Sequence, residues 1–77
     1  MLYVIIAPTP KGELFAKANK LIPTRSWASL YSSPSAARVR FPRLFELYPD
    51  LPWLAYEPWL DHQGTRVRIY RSELEGS

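Results

Sequence analysis

The chain has no cysteine, one histidine and three glycines in 77 residues. Without cysteine no disulfide or thiolate metal site can form, and nothing ties the chain to an oxidising compartment. The single histidine, His62, cannot supply a zinc tetrad. The glycines stand apart at 12, 64 and 76, so there is no glycine-rich phosphate loop. Long apolar runs are also missing. Leu2–Ala7 is too short to span a bilayer and lacks the basic flank of a signal segment. A soluble, cytoplasmic protein with no membrane association is therefore expected.

What is present is aromatic and basic. Three Trp, five Tyr and three Phe must supply most of the apolar area of one small domain, residues 1–77. Seven Arg and three Lys face seven acids, for a net charge of +3. That mild excess permits nucleic-acid binding without arguing for it. The charge is uneven. Residues 49–64 carry Asp50, Glu57 and Asp61 and no Lys or Arg, whereas 34–48 carry Arg38, Arg40 and Arg43 against Glu46 alone.

The clearest element is a helix over about 34–48. Ser33 is a suitable N-cap, and Pro34 suits the first helical position, where its missing N–H costs nothing. Ala37, Phe41, Leu44, Phe45 and Tyr48 fall on one arc of the helical wheel. Arg38, Val39, Pro42, Arg43 and Glu46 fall opposite. Pro42 on the water side bends such a helix rather than breaking it. A split at Phe41 is the alternative. Pro49 ends it.

Around it the chain reads as short strands. Leu2–Ala7 is apolar on both alternating faces, as in an interior strand. The Pro8–Gly12 turn favours folding 13–18 back as a hairpin, with one helical turn starting after Pro10 as the alternative. Asn19–Arg25 reads as a loop. Ser26–Ser32 reads as a short strand with Trp27 and Tyr31 on one face. Trp53–Tyr56 is another, with Pro58 demoting the remainder to an edge or loop. A turn at Asp61–Gly64 leads into Thr65–Arg71, where Val67 and Ile69 alternate with Arg66, Arg68 and Tyr70. Glu73–Ser77 reads as a polar tail. The sum is an α+β two-layer domain, with an antiparallel or mixed sheet of about four short strands and one helix on one face. Trp53 and Trp59 are expected to cap an end or face of the sheet.

No catalytic set emerges. His62 sits in a polar turn, the acids are scattered, and none of the serines lies in a nucleophile elbow. A protein that is not an enzyme and needs no cofactor or metal is expected. The candidates for binding are Arg38 and Arg43 on the helix, Arg66 and Arg68 on the last strand, and Trp53 and Trp59 in the proline-punctuated acidic segment. Trp, Tyr and Arg dominate interface hot spots, and proline holds loops at low entropic cost. Arg66, Arg68 and Tyr70 on an open sheet face form an alternative site for single-stranded nucleic acid.

The stretch Leu30–Arg38, with Tyr3–Ile6 at the start and Val67–Tyr70 near the end, resembles small accessory proteins of bacteriophages. That resemblance implies an inhibitor-like module that binds and modulates a larger host protein, such as RNA polymerase or a defence complex. It carries no residue roles. A host protein is the expected partner, with nucleic acid as the alternative and homo-oligomers left open.

Overall fold

The computed structural model describes residues 1–60 and 65–75. Five strands form one antiparallel sheet: β1 (Tyr3–Thr9), β2 (Gly12–Lys17), β3 (Lys20–Ile22), β4 (Trp53–Pro58) and β5 (Val67–Tyr70), in the order β3-β2-β1-β4-β5. The α+β class expected from the sequence holds, with five strands in place of about four. β1 lies at the centre, where its apolar content on both faces places it.

The expected helix is one helical segment over 34–47, divided by its bend into α1 (Pro34–Arg38) and α2 (Phe41–Leu47). Ser33 caps it, its hydroxyl accepting the Ala36 N–H at 3.1 Å. Pro42 has no N–H to offer the Arg38 carbonyl. The strain is relieved at Val39–Arg40, where the Arg40 N–H bonds back three residues to Ala37 at 3.0 Å. Val39 and Arg40 stay right-handed, with φ of −59° and −82°. Pro42 is exposed, as the wheel requires, while Ala37, Phe41, Leu44 and Phe45 are buried.

Four local expectations are corrected. Residues 19–25 are not a plain loop. Lys20–Ile22 pairs with β2 as β3 through the Ala18–Asn19 turn, with Ala18 left-handed at φ 53°. Ser26–Ser32 is not a strand. Arg25–Trp27 is a 3-10 turn, and only Tyr31 pairs, bonding Tyr3 in both directions at 2.8 and 2.9 Å. Trp27 is 68% exposed, with Lys17 of β2 lying 5.5 Å from its ring centroid. The strand read as Trp53–Tyr56 is longer: β4 runs to Pro58, and at Glu57 and Pro58 it pairs with β1 alone, the edge position expected of Pro58. The Trp59 N–H bonds the Leu2 carbonyl, so the Pro58 nitrogen points the other way, beyond the last β4–β5 pair, Tyr56–Val67. The strand stops at Tyr70 rather than Arg71, and residues 73–75 of the expected tail belong to α3 (Arg71–Glu75). Glu73 reaches back to the Tyr70 N–H at 3.4 Å, half of a capping box. The turn expected at Asp61–Gly64 lies outside the described residues.

The sheet has two apolar faces. On one, Ile5, Ala7, Ala16, Leu54 and Ile69 meet Ala37, Phe41, Leu44 and Phe45 of the helices. Phe41 stands edge-on to Phe45 with centroids 6.4 Å apart. On the other face, Val4, Ile6 and Ala55 are fully buried with no α-helix above them among the described residues. Side chains cover them instead.

Candidate interaction surfaces

Strand alternation puts Glu13, Phe15, Trp53, Glu57, Arg66, Arg68 and Tyr70 on that helix-free face. Glu57 is its anchor, buried on the central part of the sheet. Arg66 donates from Nε to Glu57 at 2.7 Å, and its terminal nitrogens donate to Glu13. Glu57 is on β4 and Glu13 on β2, so the guanidinium between them crosses above β1. Arg25 binds Glu57 from its other oxygen at 3.2 Å and donates to the Trp59 carbonyl at 3.1 Å. Its guanidinium also lies 5.1 Å from the Trp59 ring centroid and 5.8 Å from that of Phe15.

The chain Arg25–Glu57–Arg66–Glu13 is thus a charge-balanced lid over Val4, Ile6 and Ala55. With Phe15, Ala28, Trp53 and Trp59, which pack on those three residues, it takes the place of a second helical layer. The Arg66 pKa is raised above the ordinary arginine value. The hydrogen bond to Glu13 raises it most, burial opposes, and the bond to Glu57 and both carboxylate charges add to the rise.

Arg68 is held differently. Its guanidinium lies 4.4 Å from the Trp53 ring centroid, a diagonal contact across β4 and β5. It has no carboxylate partner among the described residues. Tyr70, paired with Trp53 across the strands, is 43% exposed. Trp53, Arg68 and Tyr70 therefore form one compact patch of ring, cation and ring.

The other sequence-derived candidates do not join it. Trp59 is half-buried under Arg25, and Arg66 is committed to two carboxylates. Arg38 and Arg43 are exposed on the helical layer, across the sheet, with Arg43 bound to Glu46 at 3.2 Å. The six residues read as partner contacts are split between two faces of the molecule.

Sequence reasoning missed a cleft of about 640 Å³ at the other end of the helical face. Pro8, Pro10 and Leu14 of the β1–β2 hairpin form one wall, and Leu47, Tyr48 and Leu51 the facing one. Leu21 and Pro52 also line it. The far wall is fixed from behind by Arg71, which donates to the carbonyls of Phe45, Tyr48 and Leu51 at 3.0, 2.8 and 2.9 Å. The Tyr48 hydroxyl accepts the Leu21 N–H at 3.2 Å and ties that wall to β3. Each proline reads locally as a turn or stop, and nothing in the sequence says that they converge.

No family model, curated protein or solved structure matches the chain. No cluster of metal-ligating side chains occurs among the described residues. None of their helices is long and apolar enough to cross a membrane.

Proposed function

We propose that this chain is a small non-enzymatic interaction module that docks on a larger host protein and modulates it, with Trp53, Arg68 and Tyr70 as the central contact. The observation that carries this is the Arg68 guanidinium stacked on Trp53 without a carboxylate partner among the described residues. Its neighbours on that face, Arg25 and Arg66, are already neutralised by Glu57 and Glu13. A cation oriented by a ring loses little side-chain freedom on binding, and Arg, Trp and Tyr are the hot-spot residue types. The partner surface it suits is acidic. The likeness to small phage accessory proteins supports a host enzyme or defence complex in the bacterial cytoplasm as that partner.

The test is affinity capture from bacterial lysate by the wild type and by Arg68→Glu and Arg38→Glu variants. A stoichiometric partner retained by Arg38→Glu and lost by Arg68→Glu supports the reading. Equal capture by all three contradicts it.

A second reading is single-stranded nucleic acid, favoured by the flat face on which Tyr70 and Trp53 flank Arg68. Arg66 is withdrawn from it by its carboxylates, which leaves Arg68 as the unpaired cation of the two expected, among the described residues. Oligonucleotide binding that falls steeply with salt and disappears in Arg68→Glu favours this over the protein partner.

A further inference from the structure

We propose that the cleft between the β1–β2 hairpin and the end of α2 receives an apolar side chain of a partner segment that carries a basic residue beside it. This site is separate from the Arg68–Trp53 patch and does not depend on it.

The cleft volume, about 640 Å³, is in the range of pre-formed ligand sites and leaves room for a bulky side chain. Its walls are rigid. Pro8, Pro10, Pro49 and Pro52 fix the backbone on both sides, and the three Arg71 hydrogen bonds hold the Tyr48–Leu51 turn. Such a cleft loses little entropy on binding. Its apolar lining is continuous through Leu14, Leu21, Leu47 and Leu51. Leu47 remains 42% exposed at the rim.

The charge of the lining selects the occupant. Among the described residues, Asp50 is the one ionised side chain that lines the cleft. It is exposed and has no cation within ion-pair distance among the described residues. On a chain with a net charge of +3, this is an acidic mouth on an apolar slot. A Lys or Arg next to the inserted side chain meets the Asp50 carboxylate, whereas an acidic neighbour is repelled. Thr9 adds no competing demand, since its hydroxyl is bonded to the Gly12 carbonyl at 2.7 Å.

The test uses two short synthetic probes, acetyl-Leu-Trp-Arg-amide and acetyl-Leu-Trp-Glu-amide, with indole as an uncharged control. Each is titrated into the ¹⁵N-labelled full chain. The Arg probe is expected to shift the amides of Leu14, Leu21, Leu47 and Leu51 and to bind about fivefold more tightly than the Glu probe, the effect of one exposed ion pair. Asp50→Lys is expected to reverse that preference, and Leu47→Glu to abolish binding. Arg68→Glu is expected to leave the titration unchanged, so failure of the Arg68 contact and failure of the cleft are read separately. Shifts absent from these amides, or equal affinity for the Arg and Glu probes, overturn the proposal. So does indole binding as tightly as the Arg probe.

Discussion

Arg66 and Glu57 meet at 2.7 Å on a sheet face where the sequence alone leaves Arg66 free. That contact converts a candidate binding residue into part of the lid over Val4, Ile6 and Ala55. Glu57 holds two guanidinium groups with a side chain only 10% exposed. Removing its charge leaves Arg25 without a carboxylate near a buried surface, while Arg66 keeps Glu13. Glu57→Gln is expected to cost about 2–4 kcal/mol in urea unfolding, since breaking a buried pair strands the partner that has no other. Arg66→Met keeps the covering stem and leaves Glu57 paired with Arg25, so it is expected to cost less. Equal costs for the two variants contradict the lid.

The pH dependence of the same pair follows from its sign. The folded-state pKa of Arg66 is raised above the ordinary arginine value, first by the hydrogen bond to Glu13. Stability from a raised basic group is present below the unfolded pKa and is lost only as pH climbs through the folded one. For Arg66 that window opens only above the ordinary arginine value, so its contribution is flat through neutral and mildly alkaline pH. A lysine titrates from about 10.4 when unfolded. In Arg66→Lys the stabilisation is therefore expected to fall away above about pH 10.4, and the stability gap to wild type to widen between about pH 8 and 11. Urea midpoints at the two pH values measure it.

Arg71 closes the end of α2 by giving three donors to the carbonyls of Phe45, Tyr48 and Leu51 while lying 4.6 Å from the Phe45 ring centroid. A cation there also suits the negative end of the helix dipole. Arg71→Ala is expected to cost about 2–3 kcal/mol in thermal or urea unfolding. Arg71→Lys is expected to recover less than half of that, because an ammonium lacks the planar fork that reaches three acceptors.

Ala18 turns the β2–β3 hairpin at φ 53°, a conformation that brings an L side chain close to the next carbonyl. Ala18→Gly removes that clash and gives back part of the gain through a freer unfolded chain. The net expectation is a rise in stability of about 0.5–1 kcal/mol, read from the urea midpoint.

How much of this was legible depends on the range of the signal. The Ala37–Tyr48 stripe and the Val67–Ile69 alternation are local periodicities, and both appear in the fold with their apolar sides buried or half-buried. β3 was hidden because three residues before Pro23 carry too little pattern, and their pairing is set by the turn at Ala18. Trp27 misled by propensity, since a strand needs a neighbour and only Tyr31 found one. α3 left a trace in the spacing of Tyr70 and Glu73. The lid and the cleft left none. Arg66 and Glu13 are 53 positions apart, and the walls of the cleft come from prolines at 8, 10, 49 and 52. The arginines look alike in sequence, and only their distance to a carboxylate separates Arg66 from Arg68.

That separation is the central claim, and one measurement addresses it directly. Wild type, Arg66→Met and Arg68→Glu proteins, each shown to be folded by far-ultraviolet circular dichroism, are immobilised and exposed in parallel to bacterial lysate. The account predicts one stoichiometric partner retained by wild type and Arg66→Met and reduced at least about tenfold by Arg68→Glu, the loss of a hot-spot contact. Retention by Arg68→Glu with loss in Arg66→Met would contradict it.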